Sequence, residues 1–162
     1  MMGEHVSMSY DGLIVAAAGI ADTWTNATRY VRIYEWNGST WAQRGEDIIQ
    51  VMELDWKISH SISLSSDGNI IAIGNPAENL PLNHSFLSVL VLDESSGDWA
   101  PFTSGIDSRD SVDVDGSPIM FGSAVALYGD GRTVVAAGYP VDVDLDFCGM
   151  AAPWRYIPWR NT

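Results

Sequence analysis

Three stretches of the chain share one pattern of hydrophobic and polar positions. Each begins with two apolar residues two positions apart, passes through an Asp-Gly pair and ends in branched and small residues. The copies read VSMSYDGLIVAAAG at 6–19, ISLSSDGNIIAIG at 62–74 and VALYGDGRTVVAAG at 125–138. Alternation with period two predicts a strand with one buried face. Asp-Gly between two such runs predicts a tight turn, so each copy is predicted to be a β-hairpin.

The second arm of each hairpin is apolar on both faces and ends in small residues, including Gly. It is therefore predicted to be an inner strand. Its small residues indicate a place where backbones crowd together, as at the hub of a radial assembly. The Asp-Gly pairs recur roughly 60 residues apart, and self-similarity at such a period indicates a repeat architecture.

Two further strands are predicted after each of the first two hairpins. Tyr30–Trp36 alternates and is rich in aromatic and β-branched residues, which favours a strand. Asn37-Gly38 predicts another tight turn, and Ser39–Arg44 then returns as the fourth strand. The corresponding segments of the second copy are Phe86–Leu92, Asp93–Asp98 and Trp99–Thr103.

The segments between these strands are predicted from their polarity. Ile20–Arg29 and Asn75–Ser85 are predicted to be polar connectors, and Ser104–Pro118 a polar loop. Gly45–Lys57 contains a short apolar run that suits either a helix or a strand. The fourth strands begin with Trp41 and Trp99 at matching positions, and we expect these side chains to cap the gap between neighbouring units.

The third copy departs from the plan after its hairpin. A short segment, Trp154–Ile157, is the candidate remnant of its third strand, and Pro153 and Pro158 flank it. The predicted organisation is a first unit with its linker at 1–57, a second at 58–118, a partial third at 119–148 and a C-terminal tail at 149–162. The fold class is therefore all-β, with two complete four-stranded antiparallel units and one partial unit.

Composition restricts the class of partner. Hydrophobic residues make up 46% and charged residues 18%, which is typical of an ordered globular chain. The net charge of −13 argues against nucleic acid or an anionic membrane as a partner. Cys148 is the single cysteine, so no intrachain disulfide is possible. The sequence has no apolar run long enough to span a bilayer and no signal-peptide pattern at its start. The first repeat begins almost at once, which suggests an incomplete chain or an excised segment.

The third copy, FGSAVALYGDGRTVVAAGYP at Phe121–Pro140, resembles the FG-GAP repeat of integrin α-chain β-propellers. The first two copies match more loosely, with Met2-Gly3 and Ile58-Ser59 in place of Phe-Gly. The strand VRIYEWNGSTWAQRG and the Asp-Gly hairpins resemble FG-GAP-like repeat proteins of diatoms and related marine algae.

The resemblance implies a β-propeller in which each unit is a blade and the small-residue strand is nearest the axis. It also implies an extracellular or cell-surface location. Propellers close with ~4–8 blades, so two and a half blades predict an incomplete propeller. Such a chain is a piece of a larger propeller, a partner in an oligomeric ring, or an open arc.

Calcium is the first candidate ligand. FG-GAP repeats carry a DxDxDG-type calcium loop, but each turn here keeps one acidic residue, Asp11, Asp67 or Asp130, far short of the oxygens that calcium requires. These three residues are predicted to form turns. Asp142, Asp144 and Asp146 alternate, which on a strand places three carboxylates on one face. They are the candidate calcium site; a solvated acidic loop is the alternative.

Two other groups of residues are candidate sites. Asn26, Asn37 and Asn83 begin Asn-X-Ser/Thr sequons in predicted loops, which makes them candidate glycosylation sites. The tail carries two tryptophans and two arginines on an otherwise acidic chain, residue types enriched in binding hot spots. Its candidate binding residues are Trp154, Arg155, Trp159 and Arg160. A frayed terminus is the alternative.

The sequence carries no nucleophile elbow, HExxH motif or phosphate-binding loop. We therefore predict a non-catalytic protein without a cofactor. Its expected function is recognition or adhesion, with loops of a propeller presented to a protein or glycan partner, or to further blades of the same or another chain. The alternatives are a carbohydrate-active propeller enzyme and a purely structural segment of a longer repeat protein.

Overall fold

The computed structural model of the chain describes residues 2–23, 26–50, 61–75, 86–102, 106–107, 122–138 and 155–158. This part of the chain forms three antiparallel sheets and contains no helix. No helix in it is therefore long and apolar enough to cross a membrane. None of the sheets closes into a barrel. The prediction of an all-β chain built from antiparallel units is confirmed.

Each sheet contains one of the three repeats. The first consists of β1 (Met2–Met8), β2 (Ile14–Thr23), β3 (Asn26–Trp36), β4 (Trp41–Gln43) and β5 (Ile48–Gln50). The second consists of β6 (Ser61–Leu64), β7 (Ile70–Asn75), β8 (Phe86–Asp93), β9 (Asp98–Pro101) and β10 (Ile106–Asp107). The third consists of β11 (Ala124–Leu127), β12 (Thr133–Ala137) and β13 (Arg155–Pro158). The first four strands of both larger sheets lie in chain order, and β5 and β10 add to β3 and β8. The two complete units therefore have five strands each, not the four predicted, because a short segment after each fourth strand returns to pair with the third strand.

All three predicted hairpins are present. Their second arms β2, β7 and β12 each pair with a strand on both sides, which confirms them as inner strands. The short apolar run after Gly45 is a strand, β5, rather than a helix. Strand β13 pairs with β12, with Val135 opposite Tyr156, so the remnant third strand is confirmed.

Two predictions based on polarity are wrong. Ile20–Arg29 is not a connector, because β2 and β3 pair through it as far as Thr23 opposite Asn26. The loop predicted at Ser104–Pro118 contains β10, which pairs with Phe86 and Leu87. Ladder hydrogen bonds join backbone groups that every residue here possesses, so polar side chains did not mark where pairing ends.

The sheets pack face to face in chain order, in two apolar layers. The first layer joins Ala16 and Ile33 of the first sheet to Ile71 and Ile73 of the second. The second layer joins Ala72, Leu87 and Val89 of the second sheet to Val134 and Ala136 of the third. Because neighbouring residues of β7 point to opposite faces, Ile71 and Ala72 enter different layers. The second sheet is thereby buried on both faces.

The edges of the sheets also meet. The first arm β6 contacts both β1 and β11, so the three first arms lie side by side, with the small-residue strands one position further out. The expected order, with the small-residue strand innermost, is therefore wrong. Small residues are needed at the second arms because a Cβ on Gly74 would lie 2.5 Å from Ser61 Oγ and would collide with the Gly122 carbonyl.

The Asp-Gly turns fit into the preceding sheet. An added Cβ on Gly68 would lie 2.5 Å from Ile14 Cδ1, because this isoleucine occupies the space over the turn. The next pair repeats the contact, with Ile70 over Gly131. Ile14 and Ile70 are equivalent in the repeat, as are the two glycines. One isoleucine from each of the first two sheets is thus packed against the Asp-Gly turn of the following sheet.

Hydrogen bonds between the edges follow the same repeat. The Tyr10 N–H donates to the Ser66 carbonyl at 2.9 Å, and the Ser66 N–H donates to the Gly129 carbonyl at 2.8 Å. These three residues precede the Asp of their turns. Beside them, serine hydroxyls join the first arms. Each hydroxyl accepts a hydrogen bond from a backbone N–H at the edge of the next sheet. Ser7 Oγ accepts from the Leu64 N–H, and Ser63 Oγ from the Leu127 N–H, both at 2.9 Å.

The turn glycines give a matched test of this fit. Gly12 and Gly68 have similar left-handed φ angles, +75° and +68°, so alanine strains both backbones by about 1 kcal/mol. At Gly12 the added Cβ meets Met8 Sδ at 3.8 Å, whereas at Gly68 it meets Ile14. We expect Gly68→Ala to lower the free energy of unfolding in urea by about 1–3 kcal/mol more than Gly12→Ala. Equal losses would contradict the packing of Ile14 into the turn.

Candidate interaction surface

One face of the first sheet is not covered by another sheet in the part of the chain that the structure describes. We call it the open face and define it by Val6, Met8, Leu13, Tyr34, Trp36 and Trp41. These residues lie opposite the layer that packs on the second sheet, because side chains alternate along a strand. Val6 is 68% exposed and Met8 is 61% exposed. Large apolar side chains exposed together on one face of a sheet make that face a candidate interaction surface.

The same positions of the second sheet are buried. Ile62 and Leu64 are equivalent to Val6 and Met8, and their exposures are 8% and 6%. They pack into the first apolar layer, against the first sheet. The third sheet has Val125 and Leu127 at these positions, and they pack against the second apolar layer, so the repeat builds the same kind of face three times. It covers this face on the second sheet and leaves it exposed on the first.

The two fourth-strand tryptophans show the difference most clearly. Trp99 is 9% exposed, and its Nε1–H donates to the Arg44 carbonyl of the first sheet at 2.9 Å. Gly45 lies beneath the indole, where a Cβ would come 2.7 Å from Trp99 Cδ1. Trp41 is 45% exposed and packs on Trp36, with ring centroids 5.6 Å apart. The predicted capping role is confirmed for Trp99.

A charged pair adjoins the aromatic side chains of the first sheet. Arg32 donates to Asp47 through Nε at 2.8 Å and Nη2 at 2.7 Å, a bidentate pair. The guanidinium carbon lies 4.6 Å from the centroid of the Tyr30 ring. The Arg32 hydrogen bonds hold the pKa of Asp47 below its ordinary value, and Asp47 in turn raises the pKa of Arg32. Both groups are charged at neutral pH, and their charges compensate each other.

The aspartates of the turns are held by their own turns. Ser9 Oγ donates to Asp11 Oδ1 at 2.7 Å, and the Leu13 N–H donates to the same oxygen at 3.0 Å. The second turn repeats this geometry, with donors from Ser65 and Asn69 to Asp67. The prediction that these residues form turns is confirmed. Among the described residues, no three His, Cys, Asp or Glu side chains are grouped so that they could hold a metal.

These hydrogen bonds shift the acidities of the two carboxyls. The Ser9 hydroxyl, followed by the Leu13 N–H, lowers the pKa of Asp11. Partial burial acts to raise the pKa of Asp67, but the hydrogen bonds from Ser65 and Asn69 together outweigh it and lower the pKa. Both carboxyls are therefore held ionised by donors within the turn.

Of the candidate calcium, glycosylation and tail-binding residues, the structure describes three. Asn26 begins β3 and pairs with Thr23. Asn37 is exposed, and its Oδ1 accepts from the Ser39 and Thr40 N–H groups at 3.0 Å. Arg155 begins β13 opposite Ala136. The other predicted site residues, Asp142, Asp144, Asp146, Asn83, Trp154, Trp159 and Arg160, lie outside the described residues.

The open face was not predicted from the sequence. Its signal was present, because Val6 and Met8 match Ile62 and Leu64, and Trp41 matches Trp99. The match alone does not tell which copy is covered, since that depends on which sheet lies next to it.

Comparison of the chain with protein-family models, with curated proteins and with solved structures finds no match.

The tryptophans provide a test of which face is covered. Trp99→Phe removes the Nε1–H that donates to the Arg44 carbonyl and leaves this carbonyl without that partner. We expect it to lower the free energy of unfolding by about 1–3 kcal/mol. Trp41→Phe keeps an aromatic ring beside Trp36 on an exposed surface, and we expect a change within about 0.5 kcal/mol. Urea unfolding followed by far-UV circular dichroism measures both; equal effects would contradict the assignment of the covered face.

The turn carboxyls predict the acid sensitivity of the fold. A carboxyl whose pKa is lower in the folded than in the unfolded chain stabilises the fold above the unfolded pKa, about 3.9. That contribution is lost as the pH falls through the folded pKa. We expect the free energy of unfolding to fall from about pH 5 downward. The double variant Asp11→Asn, Asp67→Asn keeps both Oδ1 acceptors without the charge, and its stability should decline less steeply in urea titrations. Parallel pH profiles would contradict this.

Proposed function

We propose that the chain forms blades of an FG-GAP-type β-propeller and acts as a non-catalytic recognition module of the adhesion type. The arrangement of the sheets supports the propeller, because three repeats pack face to face with their first arms side by side. Each blade corresponds to one sheet, and the repeated turn contacts set the position of each blade against the next. In this arrangement the first arms line the axis.

The observation that carries the recognition function is the open face. It combines exposed aliphatic residues with a tryptophan pair and lies beside a charge-compensated arginine. Interfaces are enriched in aromatic residues and arginine at their centres, with few uncompensated charges. Such a surface suits a protein or a glycan, which offer apolar patches and hydrogen-bonding groups. The net charge of −13 favours neither nucleic acid nor anionic membranes as its partner.

A non-catalytic role is supported by three carboxylates that are engaged in structural contacts. Asp11 and Asp67 are held within their turns, and Asp47 is paired with Arg32. The extracellular location and the three sequons follow from the resemblance and the sequence. They remain predictions, as does calcium binding by Asp142, Asp144 and Asp146.

Native gels that contain soluble polysaccharides test the glycan branch of this function. A glycan ligand should retard the wild-type chain, and Trp41→Ala should reduce the retardation at least threefold. Tyr128→Ala is the matched control, because Tyr128 is also an exposed aromatic residue but lies in the third turn, away from the open face. It should leave the retardation unchanged.

A parallel assay for reducing ends separates binding from catalysis. We expect no release of reducing ends from any retarding polysaccharide. Release that depends on the chain would contradict the non-catalytic function and favour the carbohydrate-active enzyme. Retardation that is insensitive to Trp41→Ala would place the glycan site elsewhere.

A further inference from the structure

We infer that the open face and the adjoining edge of β1 bind a further repeat sheet that carries serine and a large aliphatic residue at the positions of Ser7 and Ile14. This inference rests on the proposed recognition function and specifies its partner as a protein. The partner is defined by chemistry that the chain itself uses twice, between its first and second sheets and between its second and third.

Each of the two existing interfaces joins a preceding sheet to a following sheet through fixed parts, and each side both donates and accepts hydrogen bonds. The preceding sheet supplies a serine hydroxyl, a turn N–H and an isoleucine. The following sheet supplies an edge N–H, a turn carbonyl and the glycine of its Asp-Gly pair. In the first interface these following parts are the Leu64 N–H, the Ser66 carbonyl and Gly68.

The first sheet carries all three parts of a following sheet at its own edge. The Met8 N–H is equivalent to that of Leu64, and the Tyr10 carbonyl to that of Ser66. Gly12 has φ +75°, close to +68° at Gly68 and +72° at Gly131. Gly68 and Gly131 are filled by isoleucines, whereas the space over Gly12 holds Met8 Sδ at 3.8 Å among the described residues.

The apolar surface around these groups matches as well. Val6 and Met8 are exposed, whereas Ile62 and Leu64 at the same positions are buried by the preceding sheet. Tyr10, whose turn carbonyl accepts no hydrogen bond from another described residue, is 92% exposed. The hydrogen-bonding edge of β1, the space over Gly12 and the open face therefore form one continuous surface. The equivalent parts are also continuous in the two interfaces already formed.

The third sheet of this chain does not have the parts that such a partner needs. Ala126 stands where the first two sheets have Ser7 and Ser63, so no hydroxyl is available to accept the Met8 N–H. Thr133 stands where they have Ile14 and Ile70, so the side chain is shorter and polar. A second wild-type copy is consequently a poor partner for the open face, and a sheet with serine and isoleucine is a good one.

Installing the two residues in the full-length chain tests this inference. The variant Ala126→Ser, Thr133→Ile places the missing hydroxyl and aliphatic group on the third sheet. We expect copies of the variant to associate head to tail, the third sheet of one on the open face of another. Because this contact is heterologous, the mass should grow with concentration beyond that of a dimer. Sedimentation velocity should show association at least tenfold tighter than for the wild type.

The control fills the space over Gly12 without disturbing the sheet. Asparagine tolerates the left-handed conformation of Gly12, so Gly12→Asn preserves the turn but fills the space that the incoming isoleucine needs. The triple variant should therefore sediment like the wild type. Far-UV circular dichroism and urea unfolding verify that every variant is folded. The single variants Ala126→Ser and Thr133→Ile are measured alongside and should each show a smaller gain.

The outcomes separate this inference from the proposed function. Association of the double variant that Gly12→Asn abolishes supports a repeat sheet as the partner. No gain in association by any folded variant, or a gain that persists with Gly12→Asn, overturns it. Should a polysaccharide nevertheless be retained through Trp41, recognition by the open face stands and its partner is a glycan. Tight association of the wild type through its third sheet would also overturn the inference, because Ala126 and Thr133 would then suffice.

Discussion

The structure depends on how the first arms of the hairpins satisfy the polar groups along their free edges. An edge strand exposes a row of unpaired N–H and carbonyl groups, which is costly once another sheet covers it. Here the hydroxyls of Ser7 and Ser63 accept two of these N–H groups from the neighbouring sheet. The backbone bonds between successive turns extend the same edge contact. The arms lie side by side without merging into one sheet, which keeps the sheets separate and face to face.

Glycine in the turns lets neighbouring sheets approach each other closely enough for their apolar side chains to pack. The Asp-Gly turn needs a left-handed residue, and the same missing side chain opens the space that Ile14 and Ile70 occupy. One residue thus serves both the hairpin and the contact between sheets. The second sheet is covered on both faces as a result, and its Trp99 forms a hydrogen bond with the first sheet. In the part of the chain that the structure describes, the first sheet is covered on one face, and its other face is the open face on which the proposed function rests.

Features that depend on neighbours in the chain were predictable. The hairpins, the tight turns and the role of Asp11 and Asp67 in them follow from local backbone geometry, and the structure confirms them. The continuation of β2 and β3 through Ile20–Arg29 was missed, because polarity describes the surroundings of side chains and not the pairing of backbones. The small residues of the second arms predict the strand nearest the hub, whereas the structure places these arms one strand further out. Small residues are required where the end of β7 meets Gly122.

The sequence by itself determined the repeat, the all-β class and which residues of each copy are equivalent. These properties follow from the spacing and the types of the residues, because a strand needs alternation with period two and a two-residue turn needs residues such as Asp and Gly. Only the tertiary structure decided which of two equivalent faces is covered. Val6 and Ile62 have the same local pattern, but burial depends on whether another sheet lies against the face, and that is a property of the assembly. The open face is therefore visible as a surface only once the three sheets are placed in order.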